Sequence, residues 1–205
     1  MSIDTEPTEL PRIAIVVGST RPGRRSRLVA DWVRHCAEQY LDGRASIELL
    51  DIADFELPLL DEPVPAAIGQ YTRPHTLRWA EQVGRCDGFV FVTPEYNHAM
   101  PASLKNAIDY LFAEWNDRAA GFVSYGLTGG VRAVEQLRLS LAEVKVATVR
   151  SQVALSLFSD FELPDMLEVG ELAPGGHHGA VLERMLDEIV DWANALRGLR
   201  SRASV

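Results

Sequence analysis

Two loops of this sequence concentrate the residue types that can hold an anion and a flat ring. The first, GSTRPGRRS from Gly18 to Ser26, joins a short apolar run to a helical pattern. Gly18 and Gly23 let the backbone bend and approach a ligand closely. Ser19, Thr20, Ser26 and the nearby amides offer hydrogen bonds at the positive end of the helix that follows. Arg21, Arg24 and Arg25 add fixed positive charge, and a guanidinium grips phosphate oxygens through two parallel hydrogen bonds. A phosphate group suits such a cradle. The G-x-x-x-x-G spacing matches part of a Walker motif, but Arg24-Arg25 stands where Lys followed by Ser or Thr is required, so a nucleotide-triphosphate site lacks its key residue. Nor is the loop G-x-G-x-x-G, which weakens the case for a dinucleotide on this turn. Taken alone, the segment also fits an ordinary strand-to-helix loop with solvated arginines.

The second loop, TPEYNHAMPASLKNAIDYL, runs from Thr93 to Leu111. Pro94, Glu95, Tyr96 and Asn97 lie between an apolar strand and a proline-started helix, where exposed amides and carbonyls can face a flat heterocycle and Tyr96 can cover its edge or face. His98, a single histidine beside a helix start, is assigned no chemistry. A third segment, SYGLTGG from Ser124 to Gly130, allows either close approach to a ring or a tight turn. Cys36 and Cys86 have no C-x-x-C partner and read as reduced core thiols. His177 and His178 are adjacent and lack the spacing that turns two rings toward one metal, so no metal site is expected.

These loops need a scaffold that brings them to one edge. Arg12 to Ser19 is a β-branched run fit for a strand buried on both faces. Val29, Trp32, Val33, Cys36, Ala37 and Tyr40 then recur at helical spacing. The alternation continues with a strand over Ala45 to Ile52, a proline-rich loop from Leu57 to Pro65, a helix over Thr76 to Cys86 and a strand over Gly88 to Pro94. Leu104, Ala107, Ile108 and Leu111 form the next buried stripe behind Pro101. A strand from Gly121, a helix carrying Val134, Leu137 and Leu141, and a strand within KVATVRSQVAL follow. Ser159 to His178 reads as a long surface loop, before a last helix with Leu182, Met185, Leu186, Ile189, Ala193 and Leu196 inward. Strands alternating with helices predict an α/β fold with a five-stranded parallel sheet covered on both sides. In such sheets ligands bind beyond the carboxyl ends of the strands, which is where all three loops fall. The expected division is a mobile N-terminal tail over 1–11, a single domain over 12–198 and a C-terminal tail over 199–205.

A net charge of -9 argues against nucleic acid, whose binders draw affinity from cations. The opening MSIDTEPTELP has no apolar signal core, and no apolar run is long enough to span a bilayer. With two thiols, a soluble protein of the reducing cytoplasm is expected.

Together, GSTRPGRRS and P-E-Y-N followed by P-x-x-L-K-N-x-I-D resemble the NADPH-dependent FMN reductase family, which includes quinone, azo-dye and chromate reductases. The resemblance covers about residues 12 to 198. It implies a three-layer flavodoxin-like fold with strand order 2-1-3-4-5, FMN as cofactor, NADPH or NADH as reductant, and a small-molecule electron acceptor such as a quinone, azo compound, chromate or free flavin. By position, it implies that Ser19, Arg21, Arg24 and Ser26 surround the FMN phosphate. Pro94, Glu95, Tyr96 and Asn97 would hold the ring, with Ser124, Gly129 and Gly130 near its other edge. Many members carry a serine where this chain has Arg24, so either Arg24 or Ser26 is the main phosphate contact. Arg118 and Arg132 are candidates for a nucleotide 2′-phosphate. The family's habit also implies a homodimer or homotetramer, with Leu111, Phe112 and Trp115 suited to the interface. The competing reading is a flavodoxin-like electron carrier or flavin-dependent regulator.

Overall fold

The computed structural model describes residues 9–165 and 167–203. Five parallel strands, β1 (Arg12–Val17), β2 (Ser46–Asp51), β3 (Gly88–Pro94), β4 (Ala119–Gly126) and β5 (Ala147–Ser156), form one sheet in the order β2-β1-β3-β4-β5. The helices are α1 (Ser26–Tyr40), α2 (Pro74–Gly84), α3 (Ala102–Asp109), α4 (Val131–Glu143) and α5 (Gly176–Ala203). Successive strand residues face opposite layers, so the sheet separates two cores. Ile13, Ile15, Val17, Val90 and Val92 pack with Val29, Val33 and Ala37 of α1 and with Leu182, Leu186 and Ile189 of α5. Ala14, Val16, Phe89, Phe91 and Phe122 pack with Trp79 of α2, Leu104 and Ile108 of α3, and Leu137 of α4. Parallel crossovers of one hand put α1 on one face and the next three helices on the other.

The parallel α/β sheet and its strand order are those expected from the sequence. Several local expectations are corrected. The stretch from Ser159 to His178 is not a featureless loop, because β6 (Phe161–Glu162) pairs antiparallel with β7 (Glu171–Leu172) and α5 already begins at Gly176. Strands of two residues are too short to show a period. At the other end, α5 continues to Ala203 through much of the stretch assigned to a tail, and Arg200 there pairs with Asp87 and donates to Asp117 O at 2.9 Å. Of the N-terminal tail expected over 1–11, residues 1–8 lie outside the described residues.

Leu111 and Trp115 are core residues rather than interface residues. Both are buried, and Trp115 Nε1 donates to Ile108 O at 3.1 Å while its ring packs against Phe89. Among the described residues no helix is long and apolar enough to cross a membrane.

Candidate functional site

The loops after β1, β3, β4 and β5 meet at the carboxyl rim around a crevice of about 210 Å³. Arg21, Gly23, Arg24, Arg25, Pro94, Glu95, Tyr96, Tyr125, Gly126 and Leu157 line it. Gly18 makes the first approach possible. Its N–H donates to Val92 O at 2.9 Å, and a Cβ there would sit 2.9 Å from that oxygen and 3.0 Å from Leu104 Cδ2. Arg21 to Arg24 then form a tight turn closed by Arg24 N–H to Arg21 O at 3.1 Å, with Gly23 at φ +68°. Proline followed by a left-handed glycine is the pairing a type II turn requires.

The turn delivers the chain to α1 with its first amides open. Arg25 precedes the helix without a side-chain cap, and no acid lies in the first turn. Ser26 is fully buried, and its Oγ, whose polar neighbour is the Tyr125 phenol, makes no hydrogen bond of normal geometry among the described residues; Arg24 Nε likewise makes none. Buried polar atoms are rarely left so, because each costs about 1–3 kcal/mol. Ser19 is also buried, and its Oγ lies 2.8 Å from Tyr96 Oη, joining the loop after β1 to the loop after β3.

The three arginines divide. Arg24 Nη2 sits 2.6 Å from Asp51 Oδ2, a buried carboxylate at the end of β2. Arg25 donates from Nε to Val169 O at 2.9 Å and from Nη2 to Glu168 O at 2.5 Å. Arg21 is exposed at the crevice, and its guanidinium has no ion-pair or hydrogen-bond partner among the described residues. It is the cation left for a ligand.

On the β3 side, Tyr96 and Ala99 exchange backbone hydrogen bonds of 2.9 and 3.1 Å around Asn97 and His98, at φ +49° and +75°. Two left-handed residues in a row define a type I′ hairpin turn. Gln136 of α4 secures it by donating to His98 O at 2.9 Å. Glu95 N–H donates to Tyr125 O at 3.2 Å, so the amides of Glu95 and Tyr96 are taken within the protein. The Glu95 side chain reaches α4, where it accepts Arg132 N–H at 3.2 Å and pairs with the Arg132 guanidinium.

Seven of the eleven residues singled out in the sequence do not appear as simply as expected. Ser19 and Ser26 are buried and outside the crevice lining, and Asn97 stands at the hairpin tip. Ser124, Gly129 and Gly130 do not line the crevice: Ser124 Oγ donates to Gly129 O at 2.6 Å and ties off the turn before α4. Gly130 is needed there, at φ +71°, where a Cβ would meet Tyr125 O at 2.9 Å. Arg24, the seventh, lines the crevice but is held by Asp51. Pro94, Glu95, Tyr96 and Arg21 do border the opening. Arg132 is paired with Glu95, and Arg118 lies at the opposite rim, donating to Gly84 O at 3.0 Å.

Sequence reasoning missed Tyr125, Leu157 and Asp51. Strand alternation was the available signal for Tyr125, since Ser124 and Tyr125 must face opposite layers. Tyr125 is 5% exposed, and burial pushes its phenol pKa up. Among the described residues no thiol lines the crevice; Cys86 lies before β3 at the opposite rim, where burial pushes its thiol up to about 12.

A doubly wound sheet whose first strand feeds an uncapped helix at a cationic crevice defines a flavodoxin-like protein built for a phosphorylated cofactor. A family model described as NADPH-dependent FMN reductase matches residues 11–160, and the chain belongs to that family. It is 40% identical over 148 residues to the NAD(P)H-dependent FMN reductase ntnL of Nectria sp, covering 69% of this chain and 74% of the relative. It is 37% identical over 152 residues to the NAD(P)H-dependent FMN reductase C4B3.06c of Schizosaccharomyces pombe, covering 73% and 75%. A quinone reductase of Pseudomonas putida is 32% identical over 160 residues, covering 72% and 81%. Among solved structures, the flavoenzyme FerB from Paracoccus denitrificans superposes with a TM-score of 0.66 at 22% identity, covering 91% of this chain and 98% of that one, which speaks to the fold. Family membership makes the chain an FMN-dependent NAD(P)H oxidoreductase. The residues present fit the cofactor's phosphate, which would satisfy Ser26 Oγ and the open amides of α1 beside Arg21.

Proposed function

We propose that the chain passes electrons from NADPH or NADH, through FMN held at this crevice, to a small flat acceptor of the quinone type. The open first turn of α1 with the buried Ser26 hydroxyl carries the placement of the phosphate. Ser26, Ser19, Arg21 and the α1 amides bind it. Arg24 serves through its pair with Asp51, which fixes the loop, so Ser26 is the main contact of the two. Pro94 to Asn97 hold the ring, and the turn at Ser124, Gly129 and Gly130 holds Tyr125 and Gly126 in place.

The bound flavin supplies the redox chemistry, and the protein's part is orientation and exclusion of water. The acceptor class is supported by relatives named quinone reductase and by Leu127 and Phe158, apolar side chains 58% and 79% exposed on the loops after β4 and β5. A homodimer or homotetramer in the cytoplasm completes the reading, the two free thiols being suited to a reducing compartment. Purified protein should take up FMN and then oxidise NADPH or NADH when a quinone is supplied. A protein that retains no flavin, or holds it and oxidises neither nucleotide with any of several quinones, is not this enzyme. Light scattering reads the oligomeric state.

A further inference from the structure

The chain between β5 and α5 runs beyond the part matched by the family model, which ends at Asp160. Asp160 pins both ends of this excursion. Its Oδ2 accepts Ser156 N–H at 2.8 Å and Ser159 Oγ–H at 3.1 Å. Its Oδ1 accepts Gly175 N–H at 3.1 Å and lies 3.1 Å from His178 Nε2, while its carbonyl accepts Ala173 N–H at 2.9 Å. The β6–β7 ladder closes the neck.

The excursion touches the crevice from two sides. The ring of Phe161, itself buried, lies 6.0 Å from that of Tyr125, and Leu157 lines the opening. At its far end the carbonyls of Glu168 and Val169 accept hydrogen bonds from Arg25. Arg25 is the residue immediately before the first turn of α1; it borders the crevice and donates from its guanidinium to backbone carbonyls of the excursion.

We propose that this excursion buttresses the cofactor's phosphate site, with Arg25 as the positioning residue that couples the two. Docking the Glu168 and Val169 carbonyls on Arg25 fixes the backbone at the start of α1, and so the aim of the amides that receive the phosphate. By thermodynamic reciprocity, an occupied site holds the excursion down to the same degree. The inference rests on the reading of the crevice as an FMN site.

The Glu168–Val169 peptide bond provides the test, because the carbonyl that Arg25 Nη2 holds belongs to a glutamate. A glutamyl endopeptidase needs that carbonyl released, and cleavage at this bond is followed by mass. FMN should slow the cut about tenfold in the unmodified protein, and Arg25→Ala should speed it, abolish the protection and weaken FMN binding about tenfold in a flavin fluorescence titration. Asp160→Asn, which alters a residue outside the crevice lining, should move both readouts the same way. If Arg25→Ala weakens FMN while Asp160→Asn leaves it untouched, Arg25 acts on the phosphate directly and the coupling is wrong. FMN that binds yet leaves cleavage unaltered sinks the coupling alone. A protein that binds no FMN sinks the crevice reading and the coupling together.

Discussion

The amino ends of α1 and α4 lie at the same rim of the sheet, yet they are finished in opposite ways. At α4 the preceding Gly130 has no side chain to offer, and Glu95 crosses from the β3 loop to accept Arg132 N–H and pair with its guanidinium. At α1 no side chain caps the helix, no acid lies in the first turn, and the buried Ser26 Oγ makes no hydrogen bond of normal geometry among the described residues. Both termini carry the same partial positive charge. The protein supplies its own carboxylate to one and leaves the other uncapped, open to an anion in the proposed reading. In the proposed reading this difference, rather than the crevice outline, is what assigns the phosphate to α1.

Erasing the difference should have the largest effect. Arg21→Glu brings a protein carboxylate to the mouth of α1 from an exposed position at the crevice. FMN affinity should fall about 100-fold through like-charge repulsion, with the melting temperature unchanged. If a fluorescence titration finds the affinity intact, the phosphate sits elsewhere. Ser26→Ala should cost about tenfold in FMN affinity, the value of one hydrogen bond to a charged group. The flavin-free protein should be as stable as before or slightly more so, because an unsatisfied hydroxyl is removed. A loss of thermal stability in that variant would mean Ser26 serves the fold and not the ligand.

The sheet was legible because its strands are continuous apolar runs and its helices carry clean stripes, and both signals come from burial. The rim was legible because glycine, proline and serine cluster at the ends of those runs. What stayed hidden was which partner each polar side chain would choose. Arg21, Arg24 and Arg25 look alike in sequence, and only the fold brings Asp51 to one and the carbonyls of Glu168 and Val169 to another. Ser124 and Tyr125 are neighbours whose roles exchange by the alternation of one strand. The β6–β7 excursion escaped notice because its ends are pinned by one buried carboxylate, Asp160, and its strands are two residues long, neither of which leaves a periodic signature.

Opening α4 tests the comparison from its other side. Glu95→Ala leaves the first turn of α4 without its acceptor, and flavin-free protein should lose about 1 kcal/mol of stability in a urea titration. Glu95→Gln keeps an acceptor for Arg132 N–H but not the charge, and should lose about half of that. Equal losses would show that the ion pair, and not the capping of the amide, is what matters at this terminus.

The smallest effect concerns a third terminus. At α2, Glu62 accepts Thr72 N–H at 3.0 and 3.1 Å, Thr72 Oγ1–H at 2.8 Å and Arg73 N–H at 2.9 Å, so a loop carboxylate again serves a helix start. Burial opposes its charged form, but the amides of Arg73 and Thr72 outweigh that and hold the pKa at about 2, below the usual 4.5. A lowered folded-state value stabilises the fold in full above about 4.5, and the contribution disappears as pH falls through about 2. Because the group is largely solvated, the loss should be only a few tenths of a kcal/mol. Glu62→Gln should flatten this part of the pH–stability curve between those limits, and an unaltered curve would assign the acid sensitivity to other carboxylates.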